Sequence, residues 1–134
     1  MKYNGIIESK LRIIEQKLEE IDSWHIISFK QLTESSLLQN AVERALQVCT
    51  EVMIDISERI LALNKVPPFA SAAENMKKLQ DLGILSSRSE YEEMVKFRNF
   101  IVHRYERIDL EIIYNILQNK LFLFQKFIQE IRES

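Results

Sequence analysis

The sequence predicts an all-α protein, an antiparallel up-and-down bundle of four long helices and one short helix. Gly and Pro occur only twice each in 134 residues, whereas turn-rich β architectures need many of both. Apolar residues recur every three or four positions, as on one face of a helix. Residues that cap helix starts separate these apolar stretches. We expect residues 1–134 to form a single helical domain, since this length suits one core.

The first two predicted helices are long. The first spans about residues 5–32, and the run Thr-Glu-Ser-Ser at 33–36 predicts a turn after it. The second continues to about Asn64 and ends before Pro67, because proline disfavours helical geometry in the residue before it. The apolar stripe of the first helix is Ile7, Leu11, Ile14, Leu18, Ile21 and Leu32. That of the second is Leu38, Val42, Leu46, Cys49, Met53, Ile56, Ile60 and Leu63.

Capping signals also mark the remaining three helices. Ser71 opens a capping box, Ser-Ala-Ala-Glu, and starts a short helix that should stop at Gly83. A second box, Ser-Arg-Ser-Glu at 87–90, opens the fourth helix. Asp109 is the expected N-cap of the last helix. The stripe of that helix is Ile113, Ile116, Leu117, Leu121, Phe124, Phe127, Ile128 and Ile131.

Composition excludes several classes of protein. A lone Cys49 cannot form an intramolecular disulfide framework and suits a reducing compartment. No apolar run approaches the roughly 20 residues that cross a bilayer, and the N-terminus does not read as a signal peptide. We therefore expect a cytoplasmic protein with no membrane contact. The net charge of −2 argues against a general nucleic-acid binder, since positive charge is only local, around residues 96–107.

Some apolar residues lie outside the main stripes. They are Ile54 and Leu61 in the second helix and Phe122 and Leu123 in the last. A small monomer with this much apolar surface would expose patches that drive association, so we expect a homodimer. The alternative is a thick bundle that buries these residues within one chain.

Residues 98–105 read Arg-Asn-Phe-Ile-Val-His-Arg-Tyr, an R-x4-H-x-Y pattern. Imidazole titrates near neutrality, and guanidinium carries a fixed charge suited to phosphate. This pairing is what metal-free cleavage of RNA needs. His103 would act as general base on the ribose 2′-hydroxyl or as acid on the leaving 5′-oxygen. Arg98 would neutralise charge on the phosphorane. Asn99 would orient His103 or contact a phosphate, and Tyr105 would position the substrate or line the site.

Helical geometry limits how these side chains meet. Arg98 and His103 are five residues apart and therefore about 140° apart around a straight helix. Convergence on one phosphate requires the helix to end or distort near His103, or the arginine to reach around. We expect the helix to end between about Tyr105 and Ile108. The alternative is structural: Arg98 and His103 would stabilise a helix C-terminus, and Tyr105 would pack on the core.

Other chemistry-bearing residues give weaker signals. His25, beside Trp24, is expected to pack or face solvent, and Cys49 to be a small core residue. The carboxylates Glu19, Glu20, Asp22, Asp55 and Glu58 are expected on solvated helix faces. No Gly-rich phosphate loop is present, and we expect neither a metal nor a cofactor.

The string at 98–105 resembles the signature of the HEPN superfamily, in particular the HepT-like toxins of prokaryotic toxin–antitoxin pairs. The polar residue after Arg98, the apolar residues before His103 and the tyrosine two positions after it all match. The resemblance extends to residues 40–47, to the acidic stretch around Asp55 and to the turn at 82–85. One departure is that Ile-Ser-Glu-Arg at 56–59 lacks the histidine that relatives often carry near there.

The resemblance implies a type VII toxin, a metal-independent endoribonuclease that leaves a 2′,3′-cyclic phosphate or its hydrolysis product. Its catalytic residues would be Arg98 and His103, supported by Asn99 and Tyr105, with two motifs brought together in a homodimer. The implied partners are an RNA substrate and a minimal nucleotidyltransferase (MNT) antitoxin, which would transfer AMP to Tyr105. The alternative is a non-catalytic helical module that binds a nucleotidyltransferase partner or a nucleotide.

Overall fold

The computed structural model describes residues 5–67, 71–102 and 109–134, with only the backbone for residues 99–102. This described part contains seven helices and no strand, so the all-α prediction is confirmed. The helices are α1 (Gly5–Ser23), α2 (Phe29–Thr33), α3 (Ser36–Leu63), α4 (Ala72–Asp81), α5 (Ser89–Val102), α6 (Leu110–Asn119) and α7 (Phe122–Glu133).

The long helices run up and down, as polar contacts between them show. Lys10, early in α1, lies 2.5 Å from Asp55, late in α3, so these two helices are antiparallel. The start of α5 lies beside the end of α7, where the Tyr91 hydroxyl donates to Glu130 at 2.8 Å. Helix α7 also runs back along α1. The segment between α1 and α3 therefore lies at the same end of the bundle as the end of α5 and the start of α6.

The predicted first helix is in fact two helices, which corrects the sequence analysis. His25 adopts a positive φ of 49°, a left-handed conformation that ends α1. Ser28 then caps α2 with a capping box, its side chain accepting from the Gln31 amide while Gln31 accepts from the Ser28 amide at 3.0 Å. The Ser-Phe-Lys-Gln signal at 28–31 was visible in the sequence, but Leu32, which lies in helical phase with Ile21 and the stripe before it, concealed the break.

The predicted last helix is also divided, between α6 and α7. The Lys120 amide still donates to the Ile116 carbonyl at 2.9 Å, and a new turn starts with the Leu123 amide donating to Lys120 at 3.0 Å. Leu121 precedes α7 without a side-chain cap. No local sequence signal marks this break, and the apolar stripe continues in phase across it.

Several predicted helix boundaries are confirmed. The Ser71 side chain accepts from the Glu74 amide, and that of Asp109 accepts from the Glu111 amide. Gly83 lies just beyond α4 with a φ of 76°, a conformation that glycine adopts without strain. Helix α3 ends at Leu63, one residue before the predicted end.

Most residues of the predicted stripes form one core, although Leu63 at the end of the second stripe is 55% exposed. Most of the additional apolar residues join this core. Ile54, Leu61 and Leu123 are buried within the chain, and only Phe122, which is 43% exposed, remains at the surface. The expectation that these residues form a large exposed surface was therefore wrong for three of the four. The thick-bundle alternative holds for them, because α3 and α7 pack against helices on more than one side. Of the described helices, none has the length and apolarity needed to cross a membrane.

Arg132 joins the end of α7 to α1. One of its guanidinium nitrogens lies 2.7 Å from a Glu8 oxygen and 2.7 Å from a Glu15 oxygen. Hydrogen bonds from Arg132 hold the pKa of both carboxyl groups below the ordinary value of 4.5. These two ion pairs help to hold the last helix, α7, against the first helix, α1.

We expect the Arg132 bridge to make the protein acid-sensitive. A carboxyl group whose pKa is lower in the folded than in the unfolded state stabilises the fold above its unfolded pKa, and this contribution is lost as the pH falls through the folded value. Thermal unfolding followed by circular dichroism should therefore show a Tm that falls below about pH 4.5. The variant Arg132→Met should show a smaller fall than Arg44→Met, which alters an exposed arginine on α3. An equal fall in Tm at acid pH in the two variants would contradict this account.

Candidate active site

Helix α5 carries the R-x4-H-x-Y motif and is firmly anchored at its first turns. Tyr91 is fully buried and its ring packs edge-on against Phe127 with the centroids 6.2 Å apart. Burial and the hydrogen bond to Glu130 raise the pKa of Tyr91, which keeps it protonated and donating. The anchor fixes the direction of α5 and hence the place where its last turns emerge.

Arg98 projects from the last described turns of α5 and is exposed. Among the described residues it has no hydrogen-bond or ion-pair partner. Arg132 and Arg59 are engaged, since Arg132 binds two carboxylates and Arg59 binds Asp55 at 3.2 Å. The exposed Arg44, like Arg98, has no partner among the described residues. An exposed guanidinium that is not neutralised by a carboxylate is available to a phosphate group.

The rest of the motif lies beyond what the structure describes. His103 and Tyr105 fall outside the described residues, as does the predicted helix end at 105–108, and Asn99 is described by its backbone alone. Helix α5 extends to Val102, so the backbone is helical from Arg98 through the four residues before His103's position. The helix therefore does not end between Arg98 and Val102.

The end of the bundle that contains Arg98 is built by the segment between α1 and α3 packing on α6. The Tyr114 hydroxyl donates to the Ile27 carbonyl at 3.3 Å, and the Gln118 amide donates to the Ile26 carbonyl at 3.2 Å. The Phe29 and Tyr114 rings pack edge-on, 5.6 Å between centroids. These contacts hold α6, whose first turn follows the motif in the chain.

A small cavity of about 130 Å³ lies between α5 and α6, one helical turn before Arg98. Met94, Phe97 and Ile116 form its apolar wall. Lys120 lies at its edge, 3.7 Å from Glu90 and 3.9 Å from Glu93. Lys120 was not predicted from the sequence, because its partners are distant in the chain and no motif includes it.

The other residues considered in the sequence do not form a catalytic or metal site in the described part of the structure. Cys49 is fully buried, and burial raises the pKa of its thiol to about 12, so it is not a nucleophile. His25 is exposed. Asp55 does not simply face solvent: partial burial opposes its ionisation, but hydrogen bonds from Lys10 and Arg59 outweigh burial and lower its pKa. The part of the chain that the structure describes holds no cluster of three or more His, Cys, Asp or Glu residues suited to a metal ion.

Comparison with known proteins identifies the family. The sequence pattern of the ribonuclease HepT-like family matches residues 14–131. The chain belongs to the ribonuclease HepT-like family. The resemblance that the motif carried is therefore confirmed across nearly the whole chain.

Two proteins named as HepT nucleases are similar to this chain over most of their length. The mRNA nuclease HepT of Shewanella oneidensis is 27% identical over 131 residues, which cover 96% of this chain and 98% of that protein. The tRNA nuclease HepT of Aphanizomenon flos-aquae is 27% identical over 128 residues, covering 94% of this chain and 87% of the relative.

The fold of this HepT-like chain also matches a solved structure. It is similar to the tri-AMPylated Shewanella oneidensis HEPN toxin in complex with MNT antitoxin, with a TM-score of 0.88 and 27% identity. The match covers 98% of this chain and 100% of that one. The overall fold is thus shared with a HEPN toxin.

Proposed function

We propose that this chain is a HepT-type toxin that acts in the cytoplasm. It is an endoribonuclease whose cleavage of RNA phosphodiesters does not require a metal ion. The observation that carries the proposal is the match, over nearly the whole chain, to an mRNA nuclease HepT and a tRNA nuclease HepT. The exposed Arg98, unpaired among the described residues, supports it as the phosphate-binding group.

In the proposed reaction the nucleophile is the 2′-hydroxyl of the RNA itself. His103 removes the proton of the 2′-hydroxyl, and the 2′-oxygen attacks the adjacent phosphorus. The bond from phosphorus to the 5′-oxygen breaks, and the leaving oxygen takes up a proton. The products are a 2′,3′-cyclic phosphate and a free 5′-hydroxyl. Arg98 stabilises the extra negative charge on the phosphorane oxygens. Asn99 and Tyr105 support the reaction by orienting His103 and the substrate.

The proposal includes a homodimer with the two motifs facing one cleft. The motif supplies one histidine per chain, whereas cleavage uses both a base and an acid, and a second copy provides the missing group. Ile27 and Leu37 support this arrangement, since each is 81% exposed and both lie at the bundle end where α5 finishes. Sedimentation velocity at micromolar concentration should show a dimer, and a monomer would argue against the shared cleft.

The proposal also assigns an MNT-type nucleotidyltransferase as antitoxin, with Tyr105 as the residue it modifies. The phenol oxygen would attack the α-phosphate of ATP, so that AMP is transferred and pyrophosphate leaves. A bulky anionic adduct two residues from His103 would block RNA and repel its phosphates. The support is that the similar Shewanella oneidensis toxin is AMPylated and was solved with an MNT antitoxin. Loss of toxicity on co-expression without a mass increase would refute modification of Tyr105.

Purified protein should degrade RNA in the presence of EDTA and leave fragments that end in a 2′,3′-cyclic phosphate. Expression in cells should arrest growth, because the free toxin destroys RNA. Mass spectrometry of a short RNA substrate identifies the new ends. Absence of both cleavage and growth arrest would favour the rival hypothesis, a non-catalytic module that binds a nucleotidyltransferase or a nucleotide.

A further inference from the structure

A groove of about 750 Å³ lies between α1 and α7, away from Arg98. Leu18, Leu121 and Ile128 give it an apolar floor. Along α7 the lining extends from Leu121, just before the helix, to Glu133, which corresponds to about 18 Å at 1.5 Å per residue. The groove is therefore long enough to take about three turns of another helix.

The rim of this α1–α7 groove is acidic. Glu15, Glu19 and Asp22 line it from α1, and Glu133 lines it from α7. Among the lining residues that the structure describes, Arg132 is the only cation, and two carboxylates already neutralise it. Within the described residues, no cation pairs with Glu19, Asp22 or Glu133. An apolar floor thus lies below carboxylates that are free to bind positive charge.

We propose that the α1–α7 groove binds a basic amphipathic helix of a partner protein. An apolar face of such a helix would cover Leu18, Leu121 and Ile128, as helices do when they lie in a groove. Lysine or arginine side chains along its edges would pair with Glu19, Asp22 and Glu133. Glu19 and Asp22 are one turn apart on α1, which matches cations spaced three or four residues apart on the partner.

Charge distinguishes this occupant from two others. RNA is a polyanion, and the carboxylate rim would repel it. A symmetric pairing of two copies through this face would place one acidic rim against another, because a twofold interface joins the same patch on both subunits. Like charges brought together in that way cost binding energy. A basic partner helix relieves the repulsion, whereas a wholly apolar helix would bury the rim carboxylates without partners.

The test uses the full chain and two synthetic peptides of about 14 residues, enough for four helical turns. Both carry the same leucine stripe, and the remaining positions are lysine in one and glutamate in the other. Fluorescence anisotropy at physiological ionic strength should show binding of the lysine peptide only. The variant Glu19→Lys/Asp22→Lys should weaken that binding about tenfold or more. These lysines lie near the C-terminus of α1, where positive charge favours the helix, so the variant should fold.

The matched control is Glu58→Lys/Glu74→Lys, which makes the same charge change on exposed positions of α3 and α4. It should reduce lysine-peptide affinity much less than the groove variant. Backbone amide shifts on peptide binding should map to α1 and α7. Equal loss in both variants, shifts confined to other helices, or a change of oligomeric state in the groove variant would overturn the proposal. None of these measurements involves RNA, so they do not depend on the proposed nuclease activity.

Discussion

Replacing His103 by alanine is expected to slow RNA cleavage roughly 10²–10⁴-fold, the usual contribution of a general acid or base. Replacing Arg98 by alanine is expected to slow it roughly 10²–10³-fold, because the phosphorane loses its positive partner. Arg98→Lys should restore part of the loss, since a point charge remains but the two-pronged hydrogen bonding does not. Single-turnover cleavage of a short RNA in EDTA measures all three variants.

The structure supplies a matched control for the arginine. Arg98 is exposed and unpaired among the described residues, so Arg98→Ala should unfold at the same temperature as the parent chain. Arg59 is also exposed, but it lies near the opposite end of the bundle, where it pairs with Asp55 at 3.2 Å. Arg59→Ala should therefore cleave RNA at the parent rate. Full activity in His103→Ala would disprove the assignment of the catalytic histidine.

The largest effect on stability is expected from Phe127→Ala, which should lower the free energy of unfolding by about 3–5 kcal/mol. Phe127 is fully buried and its ring lies edge-on to Tyr91, so truncation leaves a cavity beside the anchor of α5. A domain is stable by only about 5–15 kcal/mol, so a loss of this size would leave a substantial unfolded population. Urea unfolding at neutral pH measures the difference.

Phe122→Ala is the control for that experiment, because it removes the same side chain from the same helix. Phe122 is 43% exposed, and the Arg88 guanidinium lies over its ring, 5.9 Å from the centroid. A contact of this kind at an exposed site is worth about 0.5–1 kcal/mol. Similar losses for the two variants would contradict the placement of Phe127 in the core.

Local signals explain why most helices could be placed from the sequence. Ser71 and Asp109 cap helices through bonds to amides two or three residues away, and Gly83 ends one through its own φ. Such features depend on neighbours in the chain, so they can be identified without the fold. The breaks at His25 and Lys120 were missed because apolar residues beyond each break lie in helical phase with the stripe before it. Such a stripe records burial, and it does not show that the helix is continuous.

For the candidate site, the sequence determined the motif, its chemistry and the family that it indicated, since these depend on residue types at fixed spacing. It could not determine that Arg98 is exposed without a described carboxylate partner, or that Ile54 and Leu61 face inward. Only the tertiary structure decided these, together with the groove between α1 and α7. The Arg132 bridge shows the physical reason, because Arg132 lies 117 positions after Glu15 and 124 positions after Glu8 in the chain. Contacts at that separation depend on how helices pack, and periodicity within one helix does not encode them.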